Sequence, residues 1–167
     1  DLIGLLASAV DRATVGIYER QARQWREARR PLRLDDARAF AGRASQTSAD
    51  QAGAGPVLDL GCGPGWHAAV LGPPDGRAVV ALDAAGAMLD LVGEVAPGAW
   101  RVQADLGALP LRGQRLGGAW AARSYVHVPR SEVPLALADL HRSLVVGAPI
   151  ELPMFPGALE HGALGDD

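Results

Sequence analysis

Lysine is missing from this chain of 167 residues, and every basic residue in it is an arginine. Schiff-base chemistry and a lysine general base are therefore excluded. The chain has one cysteine, Cys62, which rules out an internal disulfide and a metal site built from several cysteines. We therefore expect no metal site, and this cysteine usage is typical of a reducing cytoplasm, which we predict as the compartment.

The sequence also lacks a long apolar run and an excess of positive charge. No segment approaches the roughly 20 apolar residues that a membrane-spanning helix needs. The apolar first ten residues have neither the basic start nor the cleavage site of a signal peptide. The net charge of −3 argues against a nucleic-acid binder. We expect no membrane partner and no nucleic-acid partner, and a small molecule as the substrate.

What the chain does have is a distinctive stretch from Val57 to Gly65, of sequence VLDLGCGPG. Its branched apolar residues predict a short strand buried on both faces. Glycines at alternate positions then allow a sharp turn and leave room for a ligand against the main chain. The stretch therefore predicts a strand, a tight turn and a helix, with a ligand at the strand's carboxyl end.

Predicted strands and helices alternate along most of the chain. We expect helices at 17–30, 34–42, 65–71, 84–92 and 131–144, the last one capped by Ser131, and a loop at 43–56. We expect strands at 56–60, 78–82, 100–104, around 119–121, and at 149–152. This alternation indicates an α/β fold with a doubly wound, mostly parallel sheet. Residues 1–55 would be appended helices, 56–152 the ligand-binding core and 153–167 a tail.

Three of the predicted strands end in a carboxylate: Asp59, Asp83 and Asp105. The carboxyl ends of parallel strands line one crevice, so we expect these acids to lie together. Asp83 follows Gly61 by 22 residues, the usual distance for an acid that accepts hydrogen bonds from ribose hydroxyls. Asp105 would accept from an adenine amino group. The ligand is therefore predicted to contain adenosine.

The spacing of the glycines separates two kinds of adenosine cofactor. A nicotinamide dinucleotide usually needs G-x-G-x-x-G to cradle its pyrophosphate, whereas this turn reads G-x-G-x-G. Asp59 would repel a pyrophosphate and would suit an ammonium or sulfonium group. Two alternatives stay open: an NAD(P)-dependent oxidoreductase, and a truncated, non-catalytic module that binds an adenosine cofactor.

The stretch at 57–65 resembles the first motif of the class I, Rossmann-like, S-adenosylmethionine-dependent methyltransferases. Residues 79–89 (VVALDAAGAML) are similar to the second cofactor segment of that family, and residues 103–111 (QADLGALPL) to the third. The resemblance covers about residues 55–152. It implies a methyltransferase fold with strands one to five present and the C-terminal hairpin missing, and the transfer of a methyl group from S-adenosylmethionine to a small molecule.

The resemblance also implies roles for particular residues. The glycine turn would approach the methionine part of the cofactor, Asp83 would hold the ribose, and Asp105 with Leu106 the adenine. Tyr18 lies on a helix that resembles the family's lid and would cap the cofactor. The position of His127 just after the fourth strand makes it the candidate catalytic base, should the acceptor need one; orienting the substrate and holding the loop stay open as its other roles. The predicted cofactor-binding residues are Tyr18, Asp59, Gly61, Cys62, Gly63, Gly65, Asp83, Ala84, Met88, Asp105 and Leu106.

Overall fold

The protein is described here from a computed structural model, which covers residues 11–49, 55–72 and 76–154. Its five strands form one sheet in the order β3-β2-β1-β4-β5, and every neighbouring pair is parallel. The strands are β1 Val57–Leu60, β2 Val79–Asp83, β3 Trp100–Gln103, β4 Gly118–Trp120 and β5 Ile150–Glu151. The helices are α1 Arg12–Glu27, α2 Leu34–Ala49, α3 Gly86–Val95 and α4 Val133–Ser143, with a 3-10 turn at Tyr125–His127.

Strand β1 lies at the centre of the sheet and is buried along its whole length. Leu58 pairs with Val80 of β2 on one side and with Ala119 of β4 on the other. An apolar strand without polar alternation is what a parallel sheet covered on both faces requires. The predicted α/β class and parallel sheet are therefore confirmed.

Helices cover both faces of the sheet. On one face, Leu58 and Leu60 pack in a cluster with Leu140 of α4. On the other face, Trp120 packs in a cluster with Phe40 of α2 and with Val92 of α3. The alternating side chains of the central strands β1, β2 and β4 thus point into two separate hydrophobic layers, as the doubly wound prediction requires.

The N-terminal helices differ from the sequence prediction in their bounds. Helix α1 begins at Arg12 instead of residue 17, where the side chain of Asp11 accepts hydrogen bonds from two backbone N–H groups of the first turn. Helix α2 continues to Ala49, so the predicted loop at 43–56 was wrong over its first half. Phe40 and Ala44 are fully buried against the sheet, and this burial outweighs the weak helix propensity of the Ser- and Thr-containing segment.

Two predictions in the core were also wrong. Residues 65–71 form a single hydrogen-bonded turn instead of a helix: the Ala69 N–H donates to Gly65 O at 3.0 Å, and Leu71 then bonds back to His67 O at 2.8 Å. Helix α4 is not capped by Ser131; it begins at Val133, and its N-cap residue makes no side-chain hydrogen bond. A proline in the first turn, with its fixed φ, sets that start instead.

The lid helix, as we call α1, packs on α3. Ala22 of the lid helix is buried in one cluster with Met88 and Leu91 of α3. Two arginines of the lid helix, Arg23 and Arg26, form salt bridges with the exposed Glu94. The predictions for residues 1–10, 50–54, 73–75 and 155–167 lie outside the described residues. Across the part of the chain that the structure describes, no helix has the length and apolar character needed to cross a bilayer.

Candidate cofactor-binding site

The turn after β1 needs glycine at three positions. Gly61, Gly63 and Gly65 all have positive φ, at 64°, 52° and 87°, a conformation that L side chains rarely adopt. A Cβ on Gly61 would also lie 2.5 Å from Ser124 Oγ, and one on Gly65 would lie 3.1 Å from Val92 Cγ2. A Cβ on Gly63 would meet nothing within 4 Å. The turn is thus packed at both ends and opens onto space at Gly63.

The backbone N–H groups of this turn are already engaged within the protein. Cys62 N donates to Leu82 O at 3.0 Å, Gly63 N to Asp83 Oδ2 at 2.9 Å, and Gly65 N to Cys62 O at 3.1 Å. Pro64 has no N–H to offer. The turn therefore resembles a fixed rim more than an anion cradle, which needs N–H groups that point at the ligand.

Asp59 lies beneath this rim and is 1% exposed. The pKa of Asp59 is raised to about 8: burial raises it most, a hydrogen bond from the Ala68 N–H lowers it in part, and the nearby charge of Asp83 raises it. Among the described residues, none donates a hydrogen bond to Asp59 Oδ2. A buried carboxylate oxygen without a donor is costly, and a cationic or hydrogen-bonding ligand group would relieve that cost.

Asp83, at the end of β2, holds the turn in place. Its Oδ2 accepts from Gly63 N, and its Oδ1 accepts from Ala85 N at 2.9 Å. Burial raises the pKa of Asp83, its hydrogen bonds from backbone N–H groups lower it in part, and the charge of Glu19 on the lid helix raises it. Each carboxylate oxygen has a second lone pair, so the two backbone bonds leave acceptor capacity for a ligand.

Asp105 follows β3, and its Oδ1 accepts from Gly107 N at 2.7 Å. This local bond closes the turn after the strand. Asp105 also lines a cavity of about 400 Å³ between the lid helix and the ends of β2 and β3, within the roughly 300–1,000 Å³ typical of ligand pockets. The residues around this cavity are Arg12, Val15, Gly16 and Glu19 of the lid helix, and Ala84, Gln103, Ala104 and Asp105 at and just after the ends of β2 and β3.

Three of the predicted cofactor residues have their side chains in hydrophobic clusters. Met88 lies under the lid helix, Leu106 lies in the cluster that includes α4, and Cys62 lies in the cluster on the opposite face. Burial raises the pKa of the Cys62 thiol well above its usual range, so the thiol stays protonated and unreactive. The cofactor contacts predicted for these three residues stay predictions.

Tyr18 and His127 come together although 109 residues separate them. Tyr18 Oη lies 3.2 Å from His127 Nε2, and the two rings meet edge to face. Trp25, further along the lid helix, stacks on Trp66, which follows the glycine turn, at 5.5 Å between ring centroids. The lid helix therefore contacts the segment after β4 and the segment after β1. The roles predicted for Tyr18 and His127 stay predictions.

Sequence reasoning missed the lid-helix residues that line the cavity, above all Glu19. Its carboxylate accepts hydrogen bonds from Gly86 N at 2.6 Å and from Ala87 N at 3.0 Å. No local sequence pattern marks this role, because the two N–H groups lie 67 and 68 residues away from Glu19. Within residues 11–49, 55–72 and 76–154, no cluster of three or more His, Cys, Asp or Glu side chains is placed to hold a metal ion.

The comparisons with known proteins agree with this geometry. A family model described as a methyltransferase domain matches residues 57–147. No curated protein sequence matches the chain. Many solved structures share the fold.

Three of these structures illustrate the likeness. In one, DhpI in complex with SAM and HEP, 19% of residues are identical, the match covers 87% of this chain and 66% of that one, and the TM-score is 0.63. The SAM-bound amino pentose methyltransferase CalS10 from Micromonospora echinaspora is 24% identical, the match covers 84% of this chain and 57% of that one, and the TM-score is 0.62. Phosphoethanolamine N-methyltransferase 1 from Haemonchus contortus, in complex with phosphoethanolamine and S-adenosylhomocysteine, is 16% identical. The match covers 90% of this chain and 33% of that one, and the TM-score is 0.60. The chain spans less than two thirds of each of these proteins.

Proposed function

The chain belongs to the methyltransferase domain family, and from this premise we propose that it binds S-adenosylmethionine and transfers a methyl group to a small-molecule acceptor. Its class I, Rossmann-like fold agrees with that membership. The activity, the cofactor and the acceptor class are the proposed parts.

One observation carries the choice of cofactor: the hydrogen-bond state of the glycine turn. Its N–H groups from Cys62 to Gly65 are bonded within the protein or missing, and Asp59 Oδ2 lies beneath them without a donor among the described residues. A pyrophosphate needs N–H donors and is repelled by carboxylates. An amino-acid ammonium needs hydrogen-bond acceptors, which the unpaired Asp59 oxygen supplies. Without ligand Asp59 holds its proton at neutral pH, and a cation beside it would favour the charged form. The turn therefore suits S-adenosylmethionine and disfavours the NAD(P)-dependent alternative.

The protein's own residues would bind the cofactor in three places. Asp59 and the open side of Gly63 would face its methionine part, Asp83 its ribose, and the cavity beside Asp105 its adenine. When bound, S-adenosylmethionine supplies a methyl group on a sulfonium, which is already a good leaving group. The chain's contribution to rate is alignment and exclusion of water by the lid helix, and alignment alone is worth roughly 7–11 kcal/mol.

The acceptor is proposed to be a small molecule. Two of the similar structures are named for small substrates, an amino pentose and phosphoethanolamine. The net charge of −3 gives no general attraction for nucleic acid. The single cysteine, which is buried, supports the proposal of a reducing, cytoplasmic compartment.

Calorimetry with S-adenosylmethionine, S-adenosylhomocysteine and NADH tests the proposal. We expect both methionine cofactors to bind, NADH not to bind, and Asp83→Asn to weaken binding at least about tenfold through loss of a charged acceptor. The matched control is Asp90→Asn, at an exposed acid of α3, which should bind like the wild type. Binding of NADH alone would refute the proposal. Cofactor binding without methyl transfer to any member of an amine and alcohol panel would favour the non-catalytic module.

A further inference from the structure

Helix α3 begins without a cap of its own. Ala85 occupies the N-cap position with φ −92° and ψ 115°, the extended geometry that a capping residue adopts, yet its side chain makes no cap hydrogen bond. The first N–H groups of a helix have no partner within it and need acceptors from elsewhere. A serine or aspartate normally supplies one at this position.

Glu19 of the lid helix supplies the missing acceptors. Its two carboxylate oxygens take one N–H each, from Gly86 and from Ala87, the first two residues of α3. These bonds join segments 67 and 68 residues apart in the chain. The negative charge also lies at the positive end of the helix dipole, where a carboxylate is stabilising. One side chain therefore completes α3 and docks the lid helix.

The same carboxylate lies in the wall of the cavity assigned to adenosine. Glu19 faces Ala84 and Asp105 across that cavity, and its charge raises the pKa of Asp83. The lid helix forms half of the cavity lining, so the cavity exists only while the lid helix is docked. Among the described residues, the other polar contacts of the lid helix with α3 are the salt bridges to Glu94. These bridges and the Glu19 bonds are all exposed, but only Glu19 binds backbone N–H groups that have no partner within α3.

Building on the proposed function, we propose that Glu19 is a positioning residue for the cofactor: it fastens the lid helix over the adenosine cavity by serving as the N-terminal cap of α3. Cofactor binding and lid docking are then coupled through one carboxylate. Loss of Glu19 opens the cavity wall even though every group on the sheet side is intact. Part of the ligand's binding free energy is then used to close the lid helix. Its apparent affinity therefore falls in proportion to the fraction of molecules in which the lid helix is already closed.

The test separates capping from lid docking with four variants: Glu19→Ala, Ala85→Ser, the double variant, and Glu27→Ala as control. Ala85→Ser offers α3 a cap of its own without restoring the Glu19 contact. Because Ala85 is buried in the cluster with Ala22 and Met88, the single Ala85→Ser variant shows whether the added hydroxyl itself disturbs the lid helix. Glu27 is exposed on the same helix. Three properties are measured for each protein: the thermal midpoint, hydrogen exchange of amides 12–27 by mass spectrometry without ligand, and S-adenosylhomocysteine affinity by calorimetry.

We expect Glu19→Ala to lower the thermal midpoint, to speed exchange of amides 12–27, and to weaken S-adenosylhomocysteine binding about tenfold, equivalent to about 1.4 kcal/mol. The double variant should regain the thermal midpoint but neither the slow exchange nor the affinity. Glu27→Ala should match the wild type in all three properties.

Two results would overturn the inference. Recovery of affinity in the double variant would show that Glu19 acts only as a helix cap. Unchanged exchange of amides 12–27 in Glu19→Ala would show that Glu19 does not hold the lid helix. If the wild-type protein binds no S-adenosylhomocysteine, the proposed function and the cofactor half of this inference fail together. The exchange data then still decide whether Glu19 fastens the lid helix.

Discussion

The buried Asp59 carboxyl group makes the stability of this protein depend on pH in an unusual direction. In the folded protein the pKa of Asp59 is raised to about 8 from an ordinary value of 3.8, so the folded state holds a proton that the unfolded state releases. For such a group the stabilisation is fully present below the unfolded pKa and is lost as pH rises through the folded pKa. Between these two values, stability should fall with pH.

The size of the effect follows from the linkage relation. One proton held by the folded state and not by the unfolded state changes the unfolding free energy by about 1.4 kcal/mol per pH unit. From about pH 5.5 to about pH 7.5, Asp59 alone should therefore cost the wild-type protein about 3 kcal/mol. This is a large part of the roughly 5–15 kcal/mol that stabilises a typical domain.

The substitution Asp59→Asn isolates this contribution because the amide resembles the protonated acid in size and is never charged. Urea unfolding at both pH values should show a pH-dependent loss that is smaller by about 3 kcal/mol in Asp59→Asn than in the wild type. Asp83, whose pKa is also raised, contributes to both proteins and largely cancels in the difference. The exposed Asp90→Asn should keep the wild-type slope. Equal pH dependence of Asp59→Asn and wild type would refute the reasoning.

Two further predictions concern packing. Gly61→Ala should lower the free energy of unfolding in urea by about 3 kcal/mol, because the alanine is strained at positive φ and meets Ser124. The control is Gly98→Ala, where an added Cβ meets nothing within 4 Å, and it should change that free energy by less than about 0.5 kcal/mol. Equal losses in the two variants would contradict this account. Phe40→Ala should cost about 3–5 kcal/mol in the same assay, since Phe40 is fully buried against Trp120. Leu135→Ala, at an exposed side chain, is its control, and a loss below about 1 kcal/mol would argue against α2 docking on the sheet.

The sheet was predictable because short local sequence patterns indicate its strands. The strands β1, β2 and β4 are short, mostly apolar runs bounded by turn residues, and the branched residues of β1 indicated burial on both faces before any contact was known. The acids at the strand ends were predictable for the same reason, since parallel strands must present their carboxyl ends at one edge.

The errors fall where distant packing outweighs local preference. Helix α2 runs seven residues beyond the predicted Gly42 because the sheet buries Phe40 and Ala44, which no local pattern shows. The segment after Gly65 ends after one turn, although its residues are compatible with a helix. Glu19 was overlooked because its partners lie 67 and 68 residues away, and an acid on an arginine-rich helix gives no sign of where it will bind.

The position of Cys62 makes its reactivity with thiol reagents a measure of how often the glycine turn opens. It is the one cysteine in the chain, it is 5% exposed, and it sits within the glycine turn. A thiol reagent cannot reach it until that turn opens, so in the native protein the labelling rate follows the opening of this segment and not global unfolding alone. The rate at which Cys62 is labelled therefore measures how often the candidate binding site opens, without any engineered label.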